Sequence, residues 1–214
     1  LINSISNARL KVGNFSGVTV SKEQVFFDYK NFHIEIVDLP GAYSLNDYTI
    51  EEKVTKDFLN NEKYDIILNV LDSTNLQRNL LLTAELLTLD KKMIIALNMS
   101  DEAEKESILI DEIQLSKILG KPCIKTSAAK KNGITKLLDE ILLKFQSQKV
   151  PSKFFFSNVI EEEIENISRV LEENKYETTE TYRQISLGLL KENKNIYKQF
   201  HDEPIWIKIQ PILT

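Results

Sequence analysis

The 214-residue sequence predicts an α/β fold, a mostly parallel sheet with helices on both faces, followed by a small all-helical domain. Three observations carry that reading. Apolar strand-like runs alternate with amphipathic helical runs through the middle of the chain, which implies right-handed crossovers between parallel strands. The run "ITKLLDEILLKF" places Ile134, Leu137, Leu138, Ile141, Leu142 and Phe145 at i, i+3, i+4, i+7, i+8 and i+11, one continuous apolar face of a helix. Beyond Phe145 no strand-like run of that quality returns.

In chain order, "LIN" reads as already helical, and "VGNFSGVTV" reads as a loop. "QVFFDY" and "FHIEIVDL", separated by the turn-prone "KN", read as a β-hairpin. A helix follows in which Ile50, Val54 and Phe58 recur every fourth residue. The alternation then becomes regular: "YDIILNVLD" a buried strand, "RNLLLTAELLTL" a helix, "KMIIALN" a strand, "DEIQLSKILG" a helix closed by Gly120, "PCIKTS" a strand, and the helix ending at Phe145. The polar, proline-containing "QSQKVPSK" reads as a linker, which places a boundary near residue 149 and divides the chain into 1–148 and 149–214. In the second part Ile160, Ile164, Ile167 and Leu171 form one helical stripe, and Tyr182, Ile185, Leu189 and Leu190 another. The acidic runs "EEK", "DEAEKE" and "EEEIE" read as solvated helix faces.

Composition narrows the function. Hydrophobic content of 42% with 28% charged residues is ordinary for a soluble globular protein. With 27 basic and 32 acidic side chains the net charge is −5, which offers no electrostatic footprint for a nucleic-acid backbone or an anionic membrane. The single cysteine, Cys123, cannot form an internal disulfide and reads as a small core residue in a strand. Two histidines far apart, His33 and His201, make no metal-ligand cluster, and carboxylates without such partners read as surface rather than as an iron site. No run approaches the roughly 18 apolar residues of a membrane span, and no basic-then-apolar signal region opens the sequence. The expectation is a cytosolic domain.

In open α/β sheets ligands sit beyond the carboxyl ends of the strands, so the residues just after each strand carry the information. The hairpin ends in Asp38-Leu39-Pro40-Gly41, "KMIIALN" runs into Asn98-Met99-Ser100-Asp101, "PCIKTS" runs into Ser127-Ala128-Ala129, and Thr19 lies in the upstream loop. An Asp-x-x-Gly at a strand end can hold magnesium through its carboxylate while the glycine N–H approaches a terminal phosphate. About one such motif arises by chance in a chain this long, and the plain alternative is a turn. Asn-x-x-Asp has a helix N-cap as its plain alternative. Its chemical reading is sharper, because an aspartate carboxylate accepts from both N1–H and N2–H of guanine, whereas adenine leaves it unpaired. Ser-Ala-Ala would bring a backbone N–H to the guanine O6. Order and placement together decide: this is the layout of GTPase motifs two to five.

The stretches "NFSGVTV", "VDLPGAYSL", "LDSTNLQRNL", "LNMSDEAEK" and "TSAAKKNGI" closely resemble the cytosolic GTPase domain of the FeoB-type bacterial ferrous iron transporters, over roughly residues 1 to 145. The resemblance implies a P-loop (Ras-like) GTPase domain, then a helical GDI-like spacer domain leading to a membrane region. It implies a GTPase at the cytoplasmic face of the bacterial inner membrane that regulates ferrous iron uptake, with GTP or GDP and Mg2+ as cofactors and K+ as a further cation. By the same resemblance Thr19 and Asp38 are the magnesium ligands of the two switches, and Gly41 is the donor to the terminal phosphate. Asn98, Asp101, Ser127 and Ala128 hold the base, and the backbone carbonyls of Gly13 and Phe15 hold potassium. The partners implied are guanine nucleotide and the transmembrane region of the same protein, not nucleic acid, with homo-oligomerisation left open.

Two departures shape the expected mechanism. Ala42 follows the Asp-x-x-Gly where Ras-like enzymes carry a water-positioning glutamine, so hydrolysis should be slow. Met99 stands where N-K-x-D enzymes have lysine, which should weaken nucleotide binding and speed exchange. "LIN" resembles the helix that follows a G-x-x-x-x-G-K-[ST] phosphate loop, yet none of the six glycines is followed by Lys-Ser or Lys-Thr. The GTPase domain is therefore expected to lack its first strand and phosphate loop in these 214 residues. Two rival readings remain: a GTPase of ribosome or tRNA maturation, which would want a basic appendage unlike "EEEIENISRVLEENKYETTE", and a degenerate, non-catalytic interaction module.

Overall fold

The structure, a computed structural model, describes residues 1–5, 10–15, 20–45, 48–149 and 154–213. The elements run α1 (Ile2–Ile5), β1 (Leu10–Asn14), β2 (Ser21–Tyr29), β3 (Phe32–Asp38), α2 (Ile50–Asn61), β4 (Ile67–Asp72), α3 (Leu76–Leu87), β5 (Met93–Asn98), α4 (Ser100–Lys105), α5 (Glu112–Leu119), β6 (Cys123–Lys125) and α6 (Ile134–Gln146). Helices α7 (Asn158–Glu173), α8 (Tyr182–Leu190), α9 (Lys194–His201) and α10 (Trp206–Ile209) follow.

The expected parallel, helix-covered sheet is β4-β5-β6. Strand β5 lies at its centre because "MIIAL" is apolar at every position, and the two-residue side-chain period sends alternate residues to opposite faces. Met93, Ile95 and Leu97 pack with Leu86 and Leu87 of α3 and Leu119 of α5. Ile94 and Ala96 pack on the other face with Leu137 of α6, flanked by Leu1 and Ile5 around α1. Parallel pairing sets Asp72 level with Asn98, so both face the same carboxyl edge.

A separate antiparallel sheet contains β1-β2-β3. The predicted hairpin is β2 and β3, turning at Lys30, whose φ of 52° is the left-handed geometry a tight reversal needs. The stretch expected to be a loop begins instead as a strand: β1 pairs with β2 from Leu10↔Val25 to Asn14↔Ser21. Its apolar content is too short to announce a strand, and pairing with β2 supplies what local pattern does not. The hairpin tip is moored to α6, where Asp139 accepts from Tyr29 Oη at 2.7 Å and from Lys30 Nζ at 2.6 Å.

The last four helices bury Ile167, Leu171, Ile185, Leu189, Phe200, Ile205 and Ile209 in a core of their own. Most of the expected stripes are therefore core, although Ile160 stays 40% exposed. The acidic runs, expected to be solvated helix faces, each turn one carboxylate inward. Glu52 is buried and takes the Ser44 hydroxyl at 3.1 Å, Asp101 is buried, and Glu161 holds Arg183 through both carboxylate oxygens at 2.7 Å. Arg183 also donates to the Phe154 carbonyl, so this pair ties the segment ahead of α7 to α8. Among the described residues no helix is long and apolar enough to cross a membrane, and no three or more histidine, cysteine or carboxylate side chains are grouped so as to hold a metal ion by themselves.

Candidate functional site

Two patches at the carboxyl edges of the strands gather most of the predicted site residues. The first is a corner formed where β5 and β6 end. Asn98 ends β5, and Met99 then turns the chain with φ 60°, so α4 starts at Ser100 and carries Asp101 in its first turn. The residue at the cap position of α4 is Met99, and no side chain caps that helix. Asn98 is thus not an N-cap. Its Oδ1 reaches across to the β6 side, 3.2 Å from the Ala128 amide and 3.4 Å from Thr126 Oγ1. Ser100 secures the same junction by donating its amide and its hydroxyl to the Thr126 carbonyl at 3.1 and 3.0 Å.

The Ser127 end of this corner is shaped by a tight loop. Ser127 and Asn132 exchange backbone bonds of 3.0 and 3.1 Å, the Lys130 amide donates to Ser127 Oγ, and Gly133 follows with φ 73°. A Cβ on Gly133 would lie 2.1 Å from the Lys125 carbonyl, so glycine is required there for both conformation and space. Asp101 is 9% exposed. A hydrogen bond from Ser127, assisted by Lys130 Nζ at 3.6 Å, outweighs its partial desolvation and holds the carboxyl below the usual aspartate range. The corner therefore presents a fixed carboxylate beside an amide side chain. Residues 98, 101, 127 and 128 are brought together as expected, with one difference. The Ala128 N–H expected to face a base oxygen is engaged by Asn98 Oδ1.

The second patch is a cleft of about 480 Å3 lined by Val20, Ser21, Glu23, Asp38, Leu39, Pro40, Gly41, Ile50 and Glu51. Asp38 ends β3 directly opposite Glu23 on β2. Asp38 is an exposed residue whose carboxyl the cleft shields from water only in part, and that partial shielding with repulsion from the Glu23 carboxylate pushes its pKa above the ordinary value. Nothing lies within 4 Å of where a Gly41 Cβ would project, so packing alone does not demand a glycine there. The loop that carries it is held from behind: Thr55 Oγ1 of α2 donates to the Pro40 carbonyl at 3.1 Å. No local pattern in the sequence singles out Thr55, Ser100, Thr126 or Glu52 for these roles.

Of the remaining predicted residues, Gly13 is exposed at the end of β1, opposite Lys22. Phe15 is buried with its ring edge-on to Phe58, and its amide donates to the Val20 carbonyl at 3.0 Å. Thr19 lies outside the described residues.

A parallel sheet with helices on both faces, and loops gathered at its carboxyl edge, is the fold of a P-loop GTPase domain. The family model described as ferrous iron transport protein B (FeoB) matches residues 1–141, and the chain belongs to that family. The Fe(2+) transporter FeoB of Helicobacter pylori strain 26695 is 55% identical over 165 residues, covering 72% of this chain and 26% of that protein. The chain thus spans about a quarter of the curated relatives it matches. Among solved structures, the cytosolic domain of L. pneumophila FeoB is 34% identical with a TM-score of 0.81, covering 98% of this chain and 83% of that one. The cytosolic domain of T. maritima FeoB in a GDP form has a TM-score of 0.85 at 29% identity, over 99% and 86% of the two chains.

Proposed function

We propose that this chain is the guanine-nucleotide-binding domain of a ferrous iron transporter. It hydrolyses GTP slowly at the cytoplasmic face of the bacterial inner membrane and passes its nucleotide state to a membrane region of the same protein. The observation that carries the proposal is the convergence of Asn98, Asp101, Ser127 and Ala128 at one corner. The relatives support it: several are named Fe(2+) transporter FeoB, and T. maritima FeoB has been solved in GDP and GMPPNP forms.

In this reading Asp101 accepts from N1–H and N2–H of guanine, its carboxylate kept ionised and aimed by Ser127. The Ala128 amide serves O6 and shares its hydrogen with Asn98, as a three-centre bond allows. The second patch suits a hard divalent cation, since Asp38, Glu23 and Ser21 offer only oxygen donors. Asp38 and Thr19 would hold Mg2+, which when bound neutralises charge on the phosphate oxygens. The open space before Gly41 is reserved for that phosphate group, and its N–H is the donor. Ala42 presents no side chain able to orient water, so turnover rests on backbone donors and cations, with K+ at the Gly13 and Phe15 carbonyls. Residues 1–148 are the GTPase domain and 149–214 the helical spacer, which has its own core.

The full-length protein tests this directly. A bound fluorescent guanine nucleotide should be displaced by GTP and GDP and not by ATP, and hydrolysis should require Mg2+ and run faster in K+ than in Na+. Equal displacement by ATP would refute the assignment of the corner.

A further inference from the structure

The loop over residues 38–45 is fastened behind the cleft at three points: Thr55 holds the Pro40 carbonyl, Glu52 takes the Ser44 hydroxyl, and Oε2 of Glu85 accepts the Leu45 amide at 2.5 Å. The first two anchors belong to α2. The third is different, because the other oxygen of the same carboxylate, Oε1, is paired with Lys191, the C-cap residue just beyond α8. Glu85 therefore divides its two oxygens between the loop that carries Asp38 and Gly41 and the helical segment that follows the α/β part. Its side chain is only 11% exposed, against 37% for Lys191. A carboxylate so placed cannot turn to bulk water without abandoning its partners.

We propose that Glu85 is a positioning residue that couples the loop over residues 38–45 to the helical segment, because the Leu45 amide and Lys191 share one carboxylate. Lys191 fixes the rotamer of Glu85, and that rotamer places the acceptor for Leu45. Each partner polarises the carboxylate toward the geometry the other needs. A movement of either part is thereby felt at the other through a single side chain. Its meaning for nucleotide sensing rests on the function proposed above, whereas the contact itself does not.

The coupling can be separated from mere adhesion of the two parts. Lys56 of α2 pairs with Glu180 at 2.8 Å, and Gln184 of α8 donates to Asn60 at 3.3 Å, so α8 stays attached when Lys191 is lost. Amide hydrogen exchange on the full-length protein, without nucleotide, is the test. Lys191→Met should speed exchange at Leu45 about tenfold, the scale of losing a hydrogen bond to a charged acceptor. The amide of Ile95, which donates to Pro122 in the sheet, should not change, Glu85→Ala should act at Leu45 at least as strongly as Lys191→Met, and Lys191→Arg should restore protection. Three results would overturn the coupling: unchanged Leu45 exchange in Lys191→Met, an equal rise at Ile95, or a Leu45 amide unprotected in the wild type. Because no nucleotide is present, none of these depends on what residues 38–41 bind.

Discussion

Thr55 donates its hydroxyl to the carbonyl of Pro40 at 3.1 Å, so the helix behind the cleft is bonded to the residue immediately before Gly41. Thr55 is 5% exposed, and the bond has little water to replace it. Thr55→Val keeps the shape and deletes the donor. It should cost about 0.5–1.5 kcal/mol in chemical denaturation, the net worth of a part-buried hydrogen bond. Thr55→Ser should recover most of that loss, and equal stability of the valine variant and the wild type would show the bond to be idle.

Asp101→Asn should exchange one base preference for another. The amide that replaces the carboxylate can donate to the extra carbonyl of xanthine, and it no longer accepts from both guanine donors. Full-length Asp101→Asn should therefore bind xanthosine triphosphate more tightly than GTP, with the drop in GTP affinity at least tenfold for a lost charge-assisted pair. GTP affinity equal to that of the wild type in equilibrium titration would remove Asp101 from the base site.

The residue after Gly41 should be catalytically silent. Ala42→Gly is expected to leave single-turnover GTP hydrolysis within a small factor, because no side-chain group is lost. Thr19→Ala should instead lower turnover by orders of magnitude while leaving GDP affinity nearly unchanged, as a ligand that engages magnesium only in the triphosphate state requires. An unchanged rate in Thr19→Ala would return that residue to an ordinary loop role.

Gly133→Ala should destabilise the base corner. The substitution needs a Cβ where the Lys125 carbonyl lies 2.1 Å away and a φ of 73° that alanine adopts at a cost. Strain of this kind is worth about 1–3 kcal/mol from the backbone alone, and the steric clash adds to it. Thermal melting should report the loss, and guanine nucleotide affinity should fall with it, since Ser127 and Ala128 are held by the same loop.

Arg183→Met should be more damaging than its place in a helix suggests. It leaves Glu161, whose side chain is 13% exposed, without its bidentate partner, and removes the donor to the Phe154 carbonyl. Breaking one side of such a pair typically costs about 3–5 kcal/mol. Glu161→Gln with Arg183→Met should recover part of the loss, and additive losses in the double variant would argue against a coupled pair.

The sequence by itself determined the order of the strands and longer helices from β2 to α8, because each carries its own hydrophobic period, while α9 and α10 fell in a stretch legible only as helical. It also placed Asp38, Asn98 and Ser127 at or just beyond strand ends, since strand boundaries are written in local hydrophobic pattern. What only the tertiary structure decided is which polar groups meet. Asn98 and Ala128 are 30 residues apart, Glu161 and Arg183 are 22 apart, and Glu85 and Lys191 are 106 apart, and no periodicity links their positions. Strand β1 was hidden for the same reason, its pairing being made by β2 rather than by its own composition. Periodicity reports the apolar face that a segment must bury. A buried or half-buried carboxylate such as Glu52, Glu85, Asp101 or Glu161 takes its meaning from the donor that folding carries to it, and that donor lies on a different element or loop from the carboxylate itself.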